Sequence, residues 1–200
     1  MVEFHLWVEI MSLIRQIVYS KPCGAILKKA LSIFYRKDYL NGKYFDEKRM
    51  GFWWCIRSLP HIISMHRQGV YWPCNAQCNI LGGHNIRFDN SSLNVFQNSG
   101  CYFQGFDNIT IGKNVWIAQN VGIITANHDL VNPDLHTEGK PVYIGDRCWI
   151  GMNAVILPGV VLGENTVVGA GSVVTKSFEK GHCVIAGNPA RLIKETGGGY

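Results

Sequence analysis

Residues 144–175 read IGDRCW, IGMNAV, ILPGVV, LGENTV, VGAGSV, VT, and a branched aliphatic opens every block: Ile144, Ile150, Ile156, Leu162, Val168 and Val174. A helix repeats every 3.6 residues and a half-buried strand every two, so neither asks for a period of six. Three hexads make one eighteen-residue turn of a three-sided solenoid. Each hexad lays a short strand on a flat face, turns a corner and sends its aliphatic into the shaft. Directly after the aliphatics come Gly145, Gly151, Leu157, Gly163, Gly169 and Thr175; the glycines are read as giving the corner its backbone freedom. Four residues after them come Cys148, Ala154, Val160, Thr166 and Ser172, small enough to sit inward. Ile111, Ile117 and Ile123 extend the spacing toward the N-terminus.

Between Ile123 and Ile144 the register slips. The two aliphatics are twenty-one residues apart, and against a full coil of eighteen this leaves three extra residues. The polar, turn-rich stretch Leu130-Val-Asn-Pro-Asp-Leu-His-Thr-Glu-Gly-Lys-Pro is therefore expected to protrude as a loop over residues 129–141. Insertions of this kind on a solenoid commonly build its site.

The stretch from Ile144 to Val160, the segment Val168-Gly-Ala-Gly-Ser-Val-Val-Thr-Lys and the closing Ala186-Gly-Asn-Pro-Ala-Arg-Leu-Ile-Lys resemble the hexapeptide-repeat acyltransferases, over roughly residues 80 to 195. The pattern is most similar to the polysaccharide O-acetyltransferases and the galactoside and maltose acetyltransferase branch. The resemblance implies a left-handed parallel β-helix, and with the helical spacing near the N-terminus the expected fold class is mainly β: a left-handed parallel β-helix with an N-terminal helical extension and a short C-terminal helix. It also implies a homotrimer with active sites between subunits, acetyl-CoA as co-substrate and no metal. Residues 1–70 are assigned to the extension and residues 71–200 to the β-helix domain, with its loop and a C-terminal cap.

The same resemblance assigns site residues. His128, in an Asn-His element at the edge of the extruded loop, takes the role of general base. An acceptor hydroxyl is a weak nucleophile until its proton is removed, and an imidazole with a reference pKa of about 6.5 suits that task at neutral pH. The amide of Met152 is the expected oxyanion donor. Phe96, Asn98 and Trp116 fall where the family contacts its acceptor, flanked by Asn127 and Asp129. Asn98 fits either a sugar hydroxyl or a corner, Trp116 either a pyranose face or a neighbouring subunit, and His128 can be oriented by Asp129 or by a backbone carbonyl. For coenzyme A the carry-over runs through Trp149, Met152, Ala170, Thr175, Lys176, Arg191 and Lys194, the cations serving the adenosine phosphates. The other histidines, His136 among them, are read as structural.

Composition narrows the alternatives. At 47% hydrophobic and 16% charged, the 200 residues can bury a core. The net charge of +5 is uneven: residues 1–70 hold eleven Lys/Arg against five Asp/Glu, and the remaining 130 sum to −1. A nucleic-acid-binding β domain would keep its basic surface on the repeat, so no nucleic-acid partner is expected. Seven scattered cysteines without zinc-like spacing are read as reduced thiols of a cytoplasmic protein.

Phe4, Trp7, Val8, Met11, Ile14 and Val18 recur at helical spacing, and a second helix is expected over Cys23–Arg36. Neither is long and apolar enough to span a bilayer. The basic, aromatic-rich pair suits either a cap over the open end of the solenoid or peripheral contact with an anionic membrane, and the two are compatible. No purpose is read for residues 39–71.

The expected function is acetyl-CoA-dependent O-acetylation of a sugar hydroxyl in a capsule, exopolysaccharide or lipopolysaccharide, or in a precursor of one. The alternatives are xenobiotic or sugar-nucleotide N-acetylation and, outside the enzymes, an oligomerisation scaffold. A metal-dependent hydratase on such a fold would gather three histidines, and only His136 lies near His128 in sequence.

Overall fold

The computed structural model describes residues 21–197; the apolar stretch from Phe4 to Val18 lies outside them. Among the described residues fourteen short strands form three sheets, and from Tyr102 to Val174 consecutive strands visit the sheets in turn. Face one stacks β1 (Asn79–Leu81), β3 (Tyr102–Gln104), β6 (Gly122–Ile124), β9 (Val155–Ile156) and β12 (Val173–Val174). Face two stacks β2 (Ile86–Phe88), β4 (Ile109–Ile111), β7 (Val142–Ile144) and β10 (Val161–Leu162). Face three stacks β5 (Trp116–Ile117), β8 (Trp149–Ile150), β11 (Thr166–Val168) and β13 (Cys183–Gly187), and β14 (Ala190–Glu195) closes its edge. All pairings between coils are parallel, as a β-helix requires.

The six aliphatics that set the period are at most 1% exposed, and Cys148, Ala154, Val160, Thr166 and Ser172 are equally buried beside them. Each full-sized aliphatic removed from water stabilises the shaft by about 1.5–3 kcal/mol. Corner geometry departs from the sequence reading. Positive φ falls three residues after seven of the nine aliphatics, at Asn114, Asn120, Arg147, Asn153, Gly159, Asn165 and Gly171, and not at the glycines that follow directly. Those glycines answer a need for space. A Cβ on Gly145 would lie 2.7 Å from the amide nitrogen of Glu164, and one on Gly151 would lie 2.6 Å from that of Ala170.

The short C-terminal helix is also corrected. Residues 190–195 form β14, which turns back on β13 with Ala190 opposite Gly187 and Glu195 opposite Cys183. The last parallel strand of a solenoid leaves its outer edge unpaired, and an antiparallel strand satisfies that edge where a helix would not.

At the other end, residues 21–70 lie against the first coils. They comprise α1 (Lys21–Leu31), α2 (Met50–Ser58), α3 (Ile62–Arg67) and short single-turn helices. The expected helix over Cys23–Arg36 thus runs from Lys21 and stops at Leu31. Tyr35, Tyr44, Phe45, Phe52 and Trp54 are buried and continue through Trp72, Phe88, Phe96 and Phe103 into one core with the shaft. The segment without a legible purpose, 39–71, supplies much of this packing: Tyr39 stacks on Phe88 at 5.0 Å and meets Trp72 edge-on at 5.4 Å. Where face three would begin, the chain forms a 3-10 helix, Asn90–Gln97. Side chains there replace the missing ladder: Asn94 Nδ2 donates to the Val115 carbonyl at 3.3 Å and Ser92 Oγ to that of Gly112 at 2.7 Å.

Candidate active site

The insertion is larger than the spacing suggested. Ile111 pairs with Ile144 and Ile123 with Ile156, each thirty-three residues apart, so fifteen residues are added to a coil of eighteen. Ile123 and Ile144 sit on adjacent faces, and six, not eighteen, is the proper reference for them. The added residues form a finger at the corner between faces one and two. Its arms are joined by Lys140 N–H to the Thr125 carbonyl, Thr137 N–H to Asn127 and Asp129 N–H to Leu135, at 2.7–2.9 Å.

His128 stands on this finger, exposed to solvent. Its Nδ1 lies 2.6 Å from the carbonyl oxygen of Pro133. A carbonyl only accepts, so Nδ1 carries the proton and the neutral ring presents Nε2 as an acceptor. The backbone carbonyl is thus the orienting partner. Asp129 is not: its Oδ1 accepts from the amides of Asn132 and Val131 at 2.9 and 2.8 Å, and these bonds hold its carboxyl below the ordinary carboxylate range. Asn127 spends its backbone on Thr137, and its side chain is exposed.

The structure separates the remaining site residues into two groups. Trp116 and Trp149 are in register on face three, 52% and 55% exposed. Met152 follows at the corner between faces three and one, with Ala170 one coil beyond it, where Gly171 N–H donates to the Met152 carbonyl at 2.8 Å. Among the described residues the Met152 amide itself has no acceptor. Arg191 and Lys194 are exposed on β14, at the edge of the same face. Thr175 and Lys176 instead share the finger's corner, Lys176 Nζ lying 5.7 Å over the Phe178 ring. A single chain therefore does not bring His128 and Met152 to the same corner.

One acceptor assignment changes. Phe96 is 0% exposed, enclosed by Trp72, Phe88 and Phe103 at 4.8–5.1 Å, so its ring cannot meet a substrate. Asn98 donates from Nδ2 to the Ile117 carbonyl at 2.5 Å, the corner role among its two readings. Sequence reasoning read His136 as structural and did not place it beside His128. Its ring lies 4.3 Å from that of His128, with planes 35° apart, and meets Phe106 edge-on at 5.4 Å. The signal was the turn former Asn132-Pro133 midway between the two histidines.

All seven cysteines are free. Burial pushes the thiols of Cys55 up to about 12 and of Cys101 and Cys148 up to about 11, which keeps them protonated and poor nucleophiles.

Residues 141–176 match the family model described as bacterial transferase hexapeptide (six repeats). Over that stretch the chain is similar to this family. Its relatives include the galactoside O-acetyltransferase of Escherichia coli, 45% identical over 91 residues, 44% of each chain. Among solved structures, a maltose O-acetyltransferase from Clostridium difficile 630 is 40% identical over 56% of each chain, with a TM-score of 0.46. A galactoside acetyltransferase in complex with coenzyme A is 32% identical over 55% of this chain and 58% of that one, with a TM-score of 0.44. The chain spans about half the length of the curated relatives it matches.

Proposed function

We propose that this protein is an acetyl-CoA-dependent O-acetyltransferase that acts on a sugar hydroxyl of a capsule, exopolysaccharide or lipopolysaccharide, or of a precursor. The observation that carries the reading is the Nδ1–Pro133 hydrogen bond, which leaves Nε2 of His128 free to accept a proton. The sugar oxygen attacks the thioester carbonyl as His128 takes its proton; the oxyanion is met by the Met152 amide. The C–S bond then breaks, and His128 returns the proton to the departing thiolate. No acyl-enzyme is needed, in keeping with the protonated thiols. For the co-substrate, the exposed Trp149 and the small Ala170 leave room beside the coil backbone for a pantetheine arm, and Arg191 and Lys194 offer charge to phosphates.

The placement of His128 and Met152 on different corners supports a homotrimer, in which a corner of one protomer completes the finger of the next. Peripheral contact at the inner face of the cell membrane is supported by residues 21–70. No described helix is long and apolar enough to cross a membrane. However, Trp53 and Ile56 on α2 and Ile26 and Ile33 near α1 are 52–78% exposed amid the basic excess of this region. Co-sedimentation with anionic but not zwitterionic vesicles, weakened by Trp53→Glu, is the expected result.

The central test is His128→Ala, assayed with acetyl-CoA and a panel of galactosides, maltose and surface-glycan fragments. Turnover is expected to fall by about two orders of magnitude or more while calorimetric binding of coenzyme A is retained. Unchanged turnover would remove the mechanism.

A further inference from the structure

The finger pairs its two histidines by construction. The hydrogen bonds from Thr137 to Asn127 and from Asp129 to Leu135 flank the antiparallel bridge between His128 and His136, making them a non-hydrogen-bonded pair. In such a pair the side chains project from the same side and approach most closely. The result is the ring contact at 4.3 Å. His136 is supported in turn by Phe106, which follows β3 on the preceding coil at the finger's own corner. A chain of three rings thus runs from the rigid solenoid to the exposed imidazole.

The Pro133 carbonyl fixes the tautomer of His128 but touches the ring at one edge only. An exposed histidine held at one point still samples several rotamers. We propose that His136 is a positioning residue, which together with Phe106 buttresses the face of His128 and keeps Nε2 aimed at the acceptor. The inference rests on His128 being the base.

Three variants test it in the full chain: His136→Ala, His136→Phe and His128→Ala, with acetyl-CoA and the best acceptor of the panel above. Freeing a ring to populate about three staggered wells predicts that His136→Ala lowers kcat about three- to tenfold, with KM for acetyl-CoA unchanged. His136→Phe keeps the stacking surface and is expected to restore kcat to within about twofold. Faster aromatic 13C relaxation of the His128 ring in His136→Ala, but not in His136→Phe, is the matching result without turnover. If His128→Ala is inactive while His136→Ala matches the parent, the buttress is wrong and the base assignment stands. If His136→Phe is as impaired as His136→Ala, the imidazole itself matters and positioning by stacking is overturned. If His128→Ala retains activity, the base reading fails and the buttress falls with it.

Discussion

The coils at 144–174 and the finger at 126–140 are built on opposite terms. In the coils, the side chains that hold the fold point inward: the period-setting aliphatics are sealed in the shaft, and a corner glycine is required because the next coil's backbone is less than 3 Å from where a Cβ would be. The finger buries little, with Leu130 and Val131 more than 90% exposed, and its shape rests on a few backbone hydrogen bonds and the Asp129 turn. The contrast teaches a division of labour. A coil leaves its backbone and a few outward residues such as Trp149 for chemistry, whereas the finger offers side chains along its length.

The most severe way to break that contrast is Met152→Pro, which deletes one coil amide. Pro158 already occupies the equivalent corner position one hexad on, so the backbone accommodates the ring. Turnover is expected to fall about 10²-fold, for a loss of roughly 3 kcal/mol of transition-state stabilisation, with little change in Tm. Mixed trimers of Met152→Pro and His128→Ala chains should regain about a quarter of parental activity, since random assembly restores that share of composite sites. No recovery would refute sites shared between protomers.

Stability should divide along the same line. Ile156→Ala empties part of the shaft and is expected to cost about 2–5 kcal/mol by chemical denaturation, whereas Leu135→Ala on the finger should change it by less than about 0.5 kcal/mol. Equal costs would mean that the finger is part of the core. A smaller loss, about 1–3 kcal/mol, is expected for Gly151→Ala, from overlap with the Ala170 backbone.

The mildest effect concerns acid. The Asp129 carboxyl is depressed by the Asn132 and Val131 amides, so its contribution is complete above the ordinary carboxylate value of 3.8 and is lost as pH falls through its lower folded value. The amide proton shifts of Asn132 and Val131 should move together in that acid window while the coil amides hold. Movement at neutral pH, or none in Asp129→Asn relative to the parent, would contradict the capping role.

How far the sequence could be read follows from the same contrast. The shaft was legible because a period of six survives every substitution that keeps an aliphatic in place, and Ile144, Ile150 and Ile156 all landed inside. The corner was legible in residue type but not in cause: glycine suggested conformational freedom, while the need is for clearance, and Arg147 or Asn153 takes the positive φ instead. Phe96 was misplaced because the 3-10 helix at Asn90–Gln97 replaces a strand, and spacing carried across it transfers a surface role to a core ring. His128 stood out through its neighbour Asn127 and the loop that follows. His136 did not, since its proximity depends on how the finger folds back, and no period records that.

The ladder closes beneath the finger as though nothing had been added, Ile111 meeting Ile144 and Ile123 meeting Ile156 without a bulge. Length and composition between Thr125 and Pro141 are therefore almost free variables for the architecture below. A lineage could lengthen, shorten or exchange this appendage to suit a new sugar, and the prism would carry the replacement as readily as the original.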